Sequence, residues 1–456
     1  MSQPGRERNP HLRRDAVRTV AFRAITEVTG NGAYANIVGG QLIHQAGLEG
    51  RDAALATELI NGTCRGLGTY ERIIEVAARR GTDTLEADVV DLLCLGAHQL
   101  LATRIPAHAA ISTSVDLARQ QIGARVTGLV NAVLRKVAQR SLEKWLDDLA
   151  RDQDPIGAVA VRTMHPEWIV TAFADRLGLA PDDPQLQQAL DANNVAAEPT
   201  LVARPGLISV DELVAEGAQA GGPSPLQATW QGNPGSLAAV RDGRAGVQDA
   251  GSQLVALALA RAEAPIGTWL DLCAGPGGKA ALLAALAAEQ DQHLVANERS
   301  MHRADLVSST VRAVRPEPLV VCGDGTRPPW RDGSFVRVLA DVPCTGLGAL
   351  RRRPESRWRH QPEDLDDLGP LQRSLLTAAI DSCRVGGVVG YATCSPHRSE
   401  TVEVVADVLA GRDDVALEPA GALVPEVDGA DGDFLQLWPH RHGTDAMFLA
   451  IIRRTG

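Results

Sequence analysis

Two cysteines stand where a chain can use them as nucleophiles. Cys344 follows an apolar run in Asp341-Val342-Pro343-Cys344-Thr345-Gly346, and Cys394 follows another in Thr393-Cys394-Ser395-Pro396. Upstream lies a glycine-rich turn, Leu270-Asp271-Leu272-Cys273-Ala274-Gly275-Pro276-Gly277-Gly278-Lys279. Glycines there let backbone approach a ligand closely and present N–H groups at a helix start. A nucleotide-type cofactor loop combined with two strand-end thiols points to covalent catalysis on an electrophilic ring. The blander alternative is two core thiols, since free cysteine is among the most buried residue types. The strand-end setting of both cysteines favours chemistry.

The glycine-rich turn by itself suits either a dinucleotide or a nucleoside-type cofactor. Its Gly-Pro-Gly-Gly-Lys spacing is neither a dinucleotide fingerprint nor a P-loop. Glu298 ends the next apolar run about twenty residues on, where an acid can accept both ribose hydroxyls. Asp324, in Cys322-Gly323-Asp324-Gly325, ends the run after that and can accept from an adenine amino group. Any one such acid alone reads as a helix N-cap; suitable groups at successive strand ends favour a cofactor. Lys279 is one of three lysines in the chain, which sets it apart from surface filler. Asp341 stands three residues before Cys344, placed to bond a ring nitrogen and amino group or the cofactor, and both roles stay open.

Positioning these groups requires parallel strands that end together. From Val247 onward, short apolar runs at 266–272, 293–297, 318–322, 336–341 and 387–392 alternate with helix-length Ala/Leu segments. That rhythm predicts an α/β fold with a doubly wound, Rossmann-like sheet whose ligands sit at the strand ends. Phe434–Trp438 and Met447–Ile452 are expected to add an antiparallel edge. Residues 12–139 carry helical spacing throughout, as in Leu12, Ala16, Val17, Val20, Ala24, Ile25 and Val28. Three domains are therefore expected: all-α over 1–150, a small α/β segment over 151–240, and the catalytic domain over 241–456.

The loop and the two cysteine motifs together resemble the RNA cytosine-C5 methyltransferases, and Cys273 to Lys279 is similar to their S-adenosylmethionine loop. The resemblance implies that Cys273, Ala274, Gly275, Pro276, Gly277, Gly278, Lys279, Glu298, Asp324 and Asp341 bind S-adenosylmethionine. It implies Cys394 as the nucleophile on cytosine C6 and Cys344 as a helper in later elimination and release, with Asp341 and Lys279 completing the catalytic set. DNA cytosine methyltransferases use a Pro-Cys nucleophile, so Cys344 remains the rival attacker. Tyr34-Ala35-Asn36, Arg104-Ile105-Pro106 and Val130-Asn131-Ala132-Val133-Leu134-Arg135-Lys136 resemble the NusB-type RNA-binding domain, with Arg13, Arg14, Arg135 and Lys136 as possible contacts. The text Arg351-Arg352-Arg353-Pro354-Glu355-Ser356-Arg357-Trp358 resembles the bacterial 16S rRNA members of the Fmu/Sun type. One departure stands out: Leu201-Val202-Ala203-Arg204 replaces the family's usual Leu-Arg-Val-Asn. The implied activity is cytosine-C5 methylation of 16S rRNA. The rivals are the same chemistry on tRNA or another RNA, and an inert NusB-like RNA-binding factor.

Composition constrains the partners. The net charge is −11, yet residues 1–150 carry 18 Lys and Arg against 16 Asp and Glu, and 151–240 carry 4 against 11. Any RNA footprint must therefore be local. A charge run is usually a solvated face, but Arg351, Arg352, Arg353 and Arg357 directly follow the Pro-Cys loop, so phosphate contact is expected of them. Aromatic residues make up only 3% of the chain, which argues against sheet-type base stacking. Seven scattered cysteines without any Cys-x-x-Cys argue against a disulfide framework or a metal site and for a reducing cytoplasm. No apolar stretch reaches membrane length, and Met1 to Asn9 has no apolar h-region, so no membrane span and no signal peptide are expected. A monomer is expected.

Overall fold

The protein is described by a computed structural model over residues 15–456. Two compact units emerge. One holds the described residues up to Val170 together with Arg352–Arg359; the other holds Thr171–Arg351 and His360–Gly456.

The first unit is all helical, as the apolar spacing predicts. Its helices run Ala16–Asn31, Ala35–Gln45, Gly50–Ala78, Ala87–Ala102, Ala107–Gln121, Thr127–Val137, Leu142–Ala150 and Pro155–Thr163. Ala87–Ala102 is buried along most of its length, with Val89, Leu92, Leu93 and Leu95 in the core, because its apolar residues leave no polar face. The boundary expected at residue 150 lies instead at 170. Met164 explains the shift: it packs on the bundle core, and a Cβ on Gly66 would meet its methyl carbon at 2.6 Å.

The second unit contains two sheets. Strands β1 (Thr200–Ala203), β2 (Gln219–Ala220), β3 (Gln227–Thr229) and β4 (Ala245–Val247) form a small antiparallel sheet in the order β2-β3-β1-β4. It has its own core of Leu201, Ala203, Ile208, Leu213 and Ala228, while Val202, on the alternate face of β1, joins the core of the larger sheet.

The larger sheet comprises β5 (Trp269–Asp271), β6 (Leu294–Glu298), β7 (Leu319–Cys322), β8 (Phe335–Asp341), β9 (Cys383–Thr393), β10 (Val415–Glu418), β11 (Ala430–Asp431), β12 (Phe434–Gln436) and β13 (Phe448–Arg454). The order is β11-β12-β13-β9-β8-β5-β6-β7, with β10 also pairing β13. Strands β9, β8, β5, β6 and β7 are mutually parallel, and β13 runs antiparallel to β9. Alternation along β13 builds both faces: Leu449 and Ile451 enter one core, and Phe448, Ala450 and Ile452 the other. The chain winds outward from β5 through β6 to β7, then returns to place β8 on the opposite side of β5. That reversal opens a crevice at the carboxyl ends of β5 and β8. Every expected strand is present. Strands β10 and β11 have no counterpart among the expected runs.

Candidate active site

The glycine-rich turn occupies that crevice. Strand β5 ends at Asp271, and the Gly278–Ala288 helix begins seven residues later. Ala274 donates its N–H to Asn297 O (2.8 Å), and Gly277 donates to Ala274 O (2.7 Å), which closes the turn. Gly277 has φ +110°, a conformation other residues rarely adopt. Gly275 has no room for a side chain, since a Cβ would lie 2.1 Å from Glu298 Oε2. Pro276 offers its carbonyl to Thr310 Oγ1 at 3.3 Å, and Gly278 opens the helix.

Glu298 sits at the end of β6 and is nearly buried. Its carboxylate accepts from Gly275 N (3.1 Å) and Ser300 N (2.9 Å), and the Arg303 guanidinium lies 3.5 Å away. Asp324 is exposed, and its Oδ1 accepts from Thr326 N (3.0 Å) and Thr326 Oγ1 (2.8 Å). Those bonds hold its carboxyl below the usual range. Asp271 is buried, and neither of its carboxylate oxygens has a hydrogen bond of ordinary geometry. Burial, with Asp341 adding and Lys279 opposing, pushes its pKa up to about 8. A tight glycine cradle, an acid at each of two strand ends and a buried, under-satisfied carboxyl fit a ligand rich in hydroxyl and amino donors.

The two cysteines meet at the same edge. Strands β8 and β9 are adjacent and parallel, with Asp341 opposite Ala392, so the segments that follow them leave the sheet side by side. Cys344 Sγ lies 3.5 Å from Cys394 Sγ. Gly348 N donates to Cys394 O at 2.8 Å and ties the two segments together. The hydrogen bond with Cys394, then burial, pushes the Cys344 thiol well up. Cys273 is a different case. Burial foremost, with the Asp271, Asp341 and Glu298 carboxylates, raises its thiol well above the usual range and makes it a neutral wall residue.

Lys279 Nζ lies 2.9 Å from Asp341 Oδ2. Burial opposes its charge, but Asp341 and then the Cys394 sulfur outweigh burial and raise its pKa. A persistent ammonium thus bears on Cys394. Thiolates are stabilised by such a neighbour.

Three residues outside the expected set support the site. Thr345, next to Cys344, donates its N–H to Glu400 Oε1 (2.8 Å) and its hydroxyl to Glu400 Oε2 (2.5 Å). Gln372 Nε2 reaches the same carboxylate at 3.1 Å and Pro343 O at 2.9 Å. Glu400 and Gln372 are fully buried. Nothing local distinguishes Glu400 in Ser399-Glu400-Thr401 from a surface acid, and only its burial in the fold reveals its use.

The arginine run divides between the two units. In the second unit, Arg351 is only 11% exposed, donates to Gly443 O at 3.0 Å, and sits 3.4 Å from Asp445 and 3.7 Å from Asp249. In the helical unit, Arg357 is 0% exposed and donates to Met164 O at 3.0 Å. Burial lowers its pKa to about 9. The expectation that Arg351 and Arg357 meet phosphate is therefore corrected. One charge is spent on two aspartates and the other has no surface to offer. Trp358 Nε1 donates to Arg65 O (3.0 Å), Arg359 to Ala33 O (2.6 Å), and Glu355 accepts from Ala35 N (3.3 Å), so this stretch is a structural strap of the bundle. Arg353 stacks over Tyr34, and Arg352 is half-buried. For these two, phosphate contact stays a proposal. Arg135 is exposed, and Lys136 spends a hydrogen bond on Ala77 O. Arg13 and Arg14 lie outside the described residues. Among the described residues no cluster of three or more His, Cys, Asp or Glu could hold a metal ion, and no helix is long and apolar enough to cross a membrane.

Comparison with known proteins agrees with this geometry. The family described as 16S rRNA methyltransferase RsmB/F matches residues 256–453, and the NusB family matches residues 15–139. A Mycobacterium tuberculosis (strain H37Rv) protein carrying the general name methyltransferase is 49% identical across 98% of this chain and 99% of its own length. Ribosomal RNA small subunit methyltransferase B of Sodalis glossinidius is 32% identical across 96% of this chain and 98% of its own. Among solved structures, PH0851 superposes with a TM-score of 0.80 at 20% identity, covering 96% of this chain and 99% of that one, which shows a shared fold. With helical front, doubly wound sheet and paired cysteines all in place, the chain belongs to the RsmB/F methyltransferase family and carries a NusB-family domain at its front.

Proposed function

We propose that this protein transfers a methyl group from S-adenosylmethionine to C5 of a cytosine in 16S rRNA, through a covalent bond between Cys394 and C6. The observation that carries this reading is the pair of sulfurs 3.5 Å apart beside the Lys279–Asp341 ion pair. Cytosine C5 is a poor nucleophile until something adds at C6. The Lys279 ammonium favours thiolate at Cys394, while Cys344 keeps the proton. Addition of Cys394 sulfur to C6 pushes electron density onto C5. Asp341, at the end of β8, is placed to take hydrogen bonds from the cytosine amino group, with Lys279 holding it in position. S-adenosylmethionine, when bound, supplies an electrophilic methyl; Gly275 to Lys279, Glu298 and Asp324 are the residues that would hold it. After transfer the C5 proton passes to a water, the C–H electron pair re-forms the C5–C6 double bond, and the sulfur–C6 bond breaks, returning the thiolate to Cys394. Cys344, one hydrogen bond away, is positioned to assist that release.

The substrate class draws its support from relatives named as ribosomal RNA small subunit methyltransferase B and from the NusB-family front. Seven free cysteines fit a reducing cytoplasm, where the protein is proposed to act as a monomer. Bisulfite mapping of ribosomal RNA from cells with and without the gene tests the whole reading. One cytosine in 16S rRNA should lose its protection in the deletion strain. An unchanged 16S map, or a change confined to tRNA, would overturn the substrate assignment.

A further inference from the structure

The second unit holds a cavity of about 420 Å³, away from the thiols, between the small sheet and the Met301–Val311 helix. That volume lies within the range of small-ligand sites. Its polar lining consists of Arg204, Arg241, Arg312, Gln248, Ser309 and Thr310, with no acidic residue among the lining groups.

Of the three arginines Arg204 is buried, and its charge needs an explanation; Arg241 and Arg312 are exposed. Arg204 is 3% exposed and donates to Gly243 O (2.6 Å) and Thr310 O (2.9 Å), while its Nε has no partner. Burial alone lowers its pKa to about 10, and no carboxylate offsets that cost. Arg241 donates to Gly235 O and Ser236 O, and Arg312 to Arg241 O. All three spend their protons on carbonyls, which satisfy hydrogen bonds but do not neutralise charge. A buried cation such as Arg204 normally pairs with an anion, and the exposed Arg241 and Arg312 stand at the open side of this cavity, where one could enter.

Gln248 supplies an independent sign of a ligand. It is 8% exposed, and neither its Nε2 nor its Oε1 has a partner. Buried amides are rarely left so. A donor and an acceptor side by side in one plane match the edge of a nucleobase, the pairing that glutamine makes with adenine. Anion and base edge together describe a nucleotide.

We infer that this cavity is a nucleotide subsite for a single-stranded stretch of the RNA substrate, its phosphodiester against Arg204, Arg241 and Arg312 and its base on Gln248. The inference rests on the RNA reading above and adds a binding site to it. Pro276 and Gly278 wall the same cavity, so a strand seated there runs beside the glycine-rich turn. Arg204 ends the stretch Leu201-Val202-Ala203-Arg204, which departs from the family's usual Leu-Arg-Val-Asn.

Fluorescence polarisation with a labelled single-stranded RNA and the full-length protein provides the test, comparing wild type, R241Q/R312Q and Q248A. Losing two arginines should weaken binding about tenfold and flatten the salt slope by about 1.4 between roughly 50 and 200 mM salt, at about 0.7 per phosphate. Q248A should weaken binding with the slope unchanged, because an amide carries no charge. Unchanged affinity and slope in R241Q/R312Q would overturn the inference, provided circular dichroism shows both variants folded. A calorimetric isotherm with inorganic phosphate that vanishes in R241Q/R312Q while RNA binding stays intact would also overturn it, leaving a free-anion site. A wild type that binds RNA through these arginines yet methylates no cytosine would refute the proposed reaction and leave the subsite standing.

Discussion

The sulfurs of Cys344 and Cys394 lie 3.5 Å apart, within hydrogen-bond reach, and that contact together with burial pushes the Cys344 thiol well up. Adjacent parallel strands make this possible: β8 and β9 release both cysteines at one edge of the sheet. Lys279, whose charge Asp341 and then Cys394 favour against burial, lies beside the same pair. The proposed reaction gives the two thiols different roles, and the variants below separate them.

Cys394→Ala should abolish methyl transfer and the covalent adduct trapped with 5-fluorocytosine RNA. Cys344→Ala should still form the adduct and, with release impaired, accumulate it on ordinary RNA. Denaturing gels of both variants with RNA compare the assignments directly. An adduct that survives Cys394→Ala and vanishes in Cys344→Ala would reverse the roles.

Gly275→Ala should remove most cofactor affinity, because the new Cβ would fall 2.1 Å from Glu298 Oε2 and crowd Arg303 at 2.8 Å. Glu298→Ala should weaken the same binding by about tenfold to a hundredfold, as expected for loss of one or two charge-assisted hydrogen bonds. Calorimetry with S-adenosylmethionine reads both. Equal binding in wild type and Glu298→Ala would remove that residue from the cofactor set.

Glu400→Gln should loosen the segment that carries Cys344. Thr345 and Gln372 both donate to this buried carboxylate, and an amide NH2 facing those donors leaves one unsatisfied. The cost is about 1–3 kcal/mol. Thermal melting should show that loss. The adduct through Cys394 should still form but release slowly, in the direction of Cys344→Ala. A destabilised variant with normal release would reduce Glu400 to a purely structural role.

Asp271 gives the fold a pH dependence. Its pKa is raised from 3.8 to about 8, chiefly by burial. The folded state therefore keeps a proton that the unfolded chain sheds above about pH 4. This contribution is full below that value and is lost as pH rises through about 8. Asp271→Asn stays neutral throughout, so its melting temperature should gain on wild type steadily from about pH 4 to 8. A constant difference across that range would show that Asp271 is ionised in the fold.

Chemistry that lies along one stretch of chain is legible in the residues themselves. The turn from Cys273 to Lys279, the acid at Glu298 and the strand-end cysteines follow from local residue types, since a strand-turn-helix writes its glycines and acids in order. The parallel sheet is legible for the same reason, because apolar runs separated by helix-length segments have few ways to pack. Tertiary structure alone decides what those residues meet. Local text marks Arg351 and Arg357 only as cations; the fold spends one on Asp249 and Asp445 and buries the other against Met164. Glu400 and Gln248 are ordinary in sequence, and their burial comes from segments distant along the chain. The sulfur–sulfur contact is of this kind too: residues 50 positions apart become neighbours only when β8 and β9 pair. Sequence determines which groups a strand end presents, and long-range packing determines which of them keep their charge, their proton and their access to solvent.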